Sequence, residues 1–276
     1  MAHKLIIQKH EEMFYPTVRV RTGKAGGSGT VVYSKKHNGE AYTYVLTNHH
    51  VIADNILVEK KWDPVLKKKV DTEILDTVQV EYFRYNNYSH CIGSFAIEAD
   101  IIAYSEYEGG QDFALLRIRD KENTSDWVAK TFPLSDIDTI HIFDKVFAVG
   151  ASLGHPPIAT EGHISYMDDE IDHHKYWMST AQTIFGNSGG AIYRWSQKRK
   201  TYEYIGIPSR ITVQPMGFSV DPITHMGYFI PIDRIKELLD ENCYQFIYDE
   251  KYTMKKCEKM RKDKKTGPDE DDEDEA

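Results

Sequence analysis

From Thr17 to Ile230 the chain alternates apolar and polar residues over short runs, and Gly, Asn and Asp close most of them. A period of two puts successive side chains on opposite faces of an extended backbone, so the pattern calls for half-buried β-strands. Candidate strands are 29–34, 42–47, 77–85, 92–104 with an interruption, 113–118, 145–150, 162–167, 176–179, 189–195, 202–207 and 227–230. Such spacing predicts an all-β chain built of antiparallel barrels or sandwiches. Helical periodicity is clear in one place, where Asp233 can cap a short C-terminal helix that carries Ile235, Leu238 and Leu239 on one face. The least strand-like stretch is the insert from Asp54 to Asp76, with its segment WDPVLKKKV. An apolar share of 41% over 276 residues supplies a substantial core for one large domain or two small ones.

No apolar run approaches the roughly 20 residues that cross a bilayer, and MAHKLIIQKHEE lacks a signal-peptide core and cleavage site. The expectation is a cytoplasmic or virion-associated protein without a membrane partner. Cys91, Cys243 and Cys257 form no CxxC pair and leave one thiol over in any disulfide scheme, so a reducing compartment suits them. Of the formal charge of −9, the run DEDDEDE from Asp269 to Glu275 contributes −7, leaving the rest nearly neutral. That balance argues against a nucleic-acid partner, because the one local excess of Lys and Arg, 251–265, directly precedes the acidic run. Opposite charge blocks side by side predict a solvated, disordered extension. Asp168, Asp169, Glu170, Asp172, His173 and His174 in MDDEIDHHKYW are metal-ligand types, but their spacing fits no metal loop and reads as a hairpin tip, so neither metal nor cofactor is expected. Most of the 18 tyrosines fall in strand-like segments, where they are core and rim material rather than a stacking surface.

Chemistry concentrates in FGNSGGAIY, from Phe185 to Tyr193, where Ser188 stands among glycines. A serine hydroxyl needs a general base within reach and donors aimed at the developing oxyanion. Gly186 and Gly189 free the backbone for a tight turn in which the N–H groups of Gly186 and Ser188 can point into one small space. The competing reading is a glycine-rich hairpin turn. GNSGG also fits the nucleophile elbow G-x-S-x-G, which needs its acid and histidine after the serine. The chain offers there only Asp221 and His225, four residues apart, which make a poor pair. Upstream, His50 in YVLTNHHVI lies where a strand ends, and Asp112 in GGQDFALLRI lies where a polar turn feeds a buried strand. Taken singly, a histidine at a strand end is more often structural, and Asp112 alone reads as a strand-start cap or a turn residue. Together they supply the order His, Asp, Ser, in which the aspartate fixes the imidazole tautomer and the imidazole takes the serine proton.

At these segments the chain resembles the trypsin-like peptidases, most closely the protease domain of the HtrA type. Gly27-Ser28-Gly29, Leu46 to Val51, Asp112 to Leu116 and Gly186 to Gly190 carry the match in order, and Val149 to Ser165 and Tyr204 to Pro231 extend it. The resemblance spans about residues 15 to 240 and implies two packed six-stranded antiparallel barrels with the site between them. It divides the chain into a barrel at 1–128 carrying His50 and Asp112, a barrel at 129–240 carrying Ser188 and the terminal helix, and an extension at 241–276, with the crossover near Asp126 to Phe132. It implies a serine endopeptidase acting on protein or peptide through an acyl-enzyme, with His50, Asp112 and Ser188 as triad and the Gly186 and Ser188 N–H groups as oxyanion hole. A primary specificity pocket follows at Gln182 and Thr183, faced by Ile207, Pro208 and Ser209. No acid stands there, so apolar side chains of small or medium size are expected rather than Lys or Arg. Asn187 stands where pancreatic-type zymogens place an aspartate, so no activating cleavage is expected. Nothing after Pro231 matches the binding domain that HtrA proteins carry behind the protease, and the resemblance leaves oligomeric state open. The reading from a different class is a catalytically silent binding module that keeps the barrel pair, against which stand all three triad residue types.

Overall fold

A computed structural model of the chain describes residues 2–64, 66–105, 109–217 and 219–265, and in it the alternation closes into two six-stranded antiparallel barrels. A helix, α1 (Ala2–Lys9), leads through a π-turn at His10–Phe14 into β1 (Thr17–Arg21), β2 (Gly26–His37) and β3 (Glu40–Thr47). After the single-turn α2 (His49–Ile52) come β4 (Ile56–Asp63) and β5 (Lys68–Leu75), then β6 (Val78–Asn86), β7 (His90–Tyr104) and β8 (Ala114–Ile118). The first barrel runs β1-β2-β3-β8-β7-β6, closed by β6 against β1. The second comprises β9 (Lys145–Gly150), β10 (Ile158–Ile171), β11 (His174–Ser179), β12 (Ala191–Ser196), β13 (Thr201–Met216) and β14 (Ser219–Pro231), in the order β10-β11-β14-β13-β12-β9.

Inward positions of the first barrel hold Val18, Val20, Val31, Val45, Val80 and Leu116, all fully buried. Tyr44, Val45 and Leu46 on β3, and Ala114, Leu115 and Leu116 on β8, are buried in succession, because these strands are covered on both faces. Their outer face meets the chain beyond the second barrel, where Phe246 lies 5.4 Å from the Tyr44 ring and 5.2 Å from Tyr33. This explains the apolar run in DFALLRI, and a cavity left by truncating Leu115 to Ala costs about 2 to 5 kcal/mol. Between Ile118 and Lys145 the chain crosses from barrel to barrel: Ala129 N donates to Val31 O of the first at 2.8 Å, and Phe132 N to Tyr204 O of the second at 3.0 Å.

Three expectations need correction. The insert is not irregular: β4 and β5 form a detached two-stranded ribbon in register from Ile56↔Leu75 to Asp63↔Lys68. It escapes a burial pattern because it buries little, leaving Leu57, Val58 and Trp62 more than half exposed. The terminal helix, α3 (Ile232–Glu241), is entered through Pro231, and Asp233 sits in its first turn without capping it, accepting instead from Lys175 Nζ at 3.0 Å. The basic half of the extension is not disordered: Met254–Lys265 form a helix, α4, anchored by buried Met254 and Cys257. Met254, Cys257 and Met260 recur every three residues, a helical stripe too short to stand out among seven basic residues. The acidic run Asp269 to Glu275 lies outside the described residues.

Candidate active site

Asp112 is fully buried just before β8 with φ of +54°, a left-handed conformation that Asp tolerates better than most residues. Its backbone carbonyl accepts from Asn48 Nδ2 at 2.7 Å and from His49 N at 3.3 Å, tying it to the start of α2. One carboxylate oxygen accepts the His50 backbone N–H at 3.0 Å, and the other meets His50 Nδ1 at 2.8 Å. Because a carboxylate only accepts, Nδ1 carries the proton and Nε2 keeps the basic lone pair. A third donor comes from the second barrel, Ser209 Oγ at 2.6 Å. His50 itself stays one-third exposed, at 34%, at the wall of a cleft of about 560 Å³ that Ser188 also lines.

The turn bearing Ser188 is fixed by what its carbonyls accept. Leu153 N donates to Phe185 O at 3.1 Å, Ser28 Oγ to Gly186 O at 2.6 Å, Gly190 N to Asn187 O at 2.9 Å, and Ser28 N to Ser188 O at 2.7 Å. In a trans peptide the N–H points opposite to the preceding C=O. Hence the Gly186 N–H is turned away from Leu153, and the Ser188 N–H away from Gly190. Asn187 N and Gly189 N are used within the fold, by Ile184 O at 3.0 Å and Pro208 O at 3.1 Å. Among the described residues, the N–H groups of Gly186 and Ser188 meet no acceptor. Gly186 (φ +95°) and Gly189 (φ +82°) are obligatory, since a Cβ would fall 2.7 Å from Leu153 N at the first and 2.2 Å from Ser28 O at the second. The buried Asn187 side chain is held by a hydrogen bond from Ser152 Oγ to its Oδ1.

The predicted pocket residues divide. Thr183, Pro208 and Ser209 line the cleft, with the buried Thr183 hydroxyl lacking a partner among the described residues. Gln182 does not line it: its side chain is exposed and its carbonyl accepts from Thr160 Oγ1 at 2.7 Å. Ile207 is fully buried in the core cluster instead. Arg210, absent from the sequence reading, lines the cleft; it pairs with Asp172 at 2.8 Å and lies 5.4 Å from the Tyr176 ring centre. Asp172 and His173 form the turn of the β10–β11 hairpin, so part of the acidic run read as a hairpin tip reaches the rim of this cleft. The spacing carries no signal for that pairing.

Two closed barrels, with a histidine–aspartate pair and a glycine-flanked serine on one cleft, define a chymotrypsin-like architecture. The model of the trypsin-like peptidase domain matches residues 27–199, and the chain belongs to that family. Among solved structures it shares its fold with the HtrA-type protease AlgW. A variant of AlgW with a tripeptide superposes with a TM-score of 0.56 at 18% identity, over 87% of this chain and 64% of that one. AlgW with a decapeptide gives 0.57 at 17% identity, over 85% and 66%. The chain thus spans just under two-thirds of those structures. No curated protein sequence matches it significantly.

Proposed function

We propose that the chain is a serine endopeptidase of HtrA type, with Ser188 as nucleophile, His50 as general base and acid, and Asp112 as the group that orients His50. The observation that carries this reading is the double hold of the buried Asp112 carboxylate on His50, at Nδ1 and at the backbone N–H, in the cleft wall shared with Ser188. Ser188 Oγ attacks the scissile carbonyl carbon while His50 Nε2 takes its proton, and the oxyanion accepts from the N–H groups of Gly186 and Ser188. Collapse breaks the C–N bond as His50 passes the proton to the leaving amine, giving acyl-Ser188. Water, activated by the same imidazole, then releases the acid. The scheme needs no cofactor. A peptide as substrate agrees with the peptides carried by the two AlgW structures.

Cleavage after Lys or Arg is disfavoured. Among the described residues no carboxylate lines the cleft, and Asp172 at its rim is already engaged by Arg210. Burying a substrate cation there without a countercharge costs several kcal/mol. Ile184, Ile211 and Val213 supply apolar contact instead. Asn187 is already held by Ser152, so the full-length chain needs no activating cleavage. Digestion of a mixed peptide library tests both points. The unprocessed protein cuts it, Ser188→Ala does not, and Lys and Arg are depleted before the cut bond. A dominant basic preference there would contradict the charge argument.

A further inference from the structure

A second, larger groove of about 850 Å³ opens on the first barrel, between the β6–β7 hairpin, the segment around Tyr15 and the crossing around Trp127. Its wall is aromatic: Tyr15 stacks on Tyr85 with ring centres 5.1 Å apart and meets Trp127 at 5.1 Å. Trp127 is 37% exposed, and Phe95 at the far side is 41% exposed. Three carboxylates line it, Glu11, Asp120 and Asp126, against one guanidinium, Arg84, which lies 4.9 Å from the Phe95 ring centre. Hydrogen bonds from Asn123 and the Glu122 backbone hold the Asp120 carboxyl below its ordinary range. Glu11 and Asp126 have no ion-pair partner among the described residues, although Glu11 is partly buried beside the Tyr15 ring.

We propose that this groove is a docking site for a basic segment of a partner protein, which seats an Arg or Lys side chain between the aromatic faces and the carboxylates of Glu11 and Asp126. The charge decides the occupant. A purely apolar segment would cover carboxylates without pairing them, which is costly. Nucleic acid would bring phosphates against three carboxylates, and the chain's own run Asp269 to Glu275 is excluded by the same repulsion. A cation gains from both walls at once, from the ring quadrupoles and from the unpaired acids. The volume lies within the range that accepts several side chains.

The test uses full-length Ser188→Ala protein and two pools of labelled octapeptides, identical except for a central arginine in one and the neutral isostere citrulline in the other. The arginine pool binds about tenfold tighter. That preference falls to about twofold or less in the Glu11→Gln/Asp126→Asn double variant, and Trp127→Ala weakens binding of the arginine pool. The same double change in the Ser188 protein leaves fluorophosphonate reactivity unaltered, which verifies the fold. Equal binding of the two pools, no binding of either, or a preference that survives in the double variant overturns the proposal. The last outcome would place the attraction elsewhere, on the acidic run above all.

Discussion

Asp112 receives donors from both barrels, His50 N and Nδ1 from the first and Ser209 Oγ from the second, so its carboxylate is set by the way the barrels pack. Asp112→Asn keeps the shape but presents an N–H to Nδ1 and forces the wrong tautomer. It should lower kcat on the order of 10⁴-fold with little loss of fold, and a loss below about tenfold would deny Asp112 this role. Ser209→Ala removes one of three donors to a buried carboxylate; about 1.5 to 3 kcal/mol of stability should go, with a smaller fall in kcat, read by urea unfolding and peptidase assay. His50, Asp112 and Ser188 stood out in the sequence as the residue types the proposed chemistry demands beside turns and strand ends, and in the structure His50 and Ser188 line one cleft with Asp112 held to His50. The pocket wall was legible only in part: β13 pairs Pro208 with Phe229 and Arg210 with Tyr228, leaving Ser209 as the extra residue of a bulge. A bulge re-aims the side chains around it, so a wall carried over by resemblance as Ile207, Pro208 and Ser209 does not foretell that Ile207 is buried in the core, that Arg210 lines the cleft or that Ser209 bonds Asp112.

At the scale of elements, the turn from Ile184 to Gly190 depends on β2, whose Ser28 donates through Oγ to Gly186 O and accepts there from Ala151 N at 2.7 Å. Ser28→Ala unties the Gly186 peptide while leaving the triad side chains in place. The expected result is a fall in kcat of about ten- to a hundredfold with KM little changed, and unchanged kcat would show that the turn holds without this bond. Most barrel strands were legible because they bury one face and alternation survives there, although β1 was not among the candidates. Where burial is two-sided, as on β8, or nearly absent, as on β4 and β5, the pattern loses its period. The ribbon's exposed faces lead to a further prediction: excising residues 57–74 behind a short glycine link should shift Tm by no more than about 2 to 4 °C by calorimetry. A larger fall would show the ribbon packing on a barrel.

On the scale of the whole molecule, α3 is pinned to the crossing between the barrels by a buried lysine. Lys236 Nζ donates to Phe132 O at 2.7 Å and lies 4.6 Å from the Tyr248 ring centre. Burial pushes its pKa down from 10.5 to about 8, against the opposing pull of Asp240, Asp249 and Glu203. Between those values the unfolded chain holds a proton that the folded chain has lost, so this contribution to stability grows as pH rises from about 8 to 10.5 and is flat below. Urea unfolding should therefore show the native protein gaining on Lys236→Met across that window, whereas a difference independent of pH would contradict the burial argument. The division into two barrels was legible through the order of four short motifs. The packing of α4 was not, because Met254 and Cys257, three apart on one helix face, make too short an apolar stripe to stand out among seven basic residues.

The proposed peptidase activity rests on one activated hydroxyl, and the most direct measurement is to treat the protein with a fluorophosphonate and locate the adduct by mass spectrometry. A single adduct on Ser188, lost in Ser188→Ala and strongly slowed in His50→Ala, is the predicted result. No adduct, or one on another serine that persists in Ser188→Ala, would contradict it.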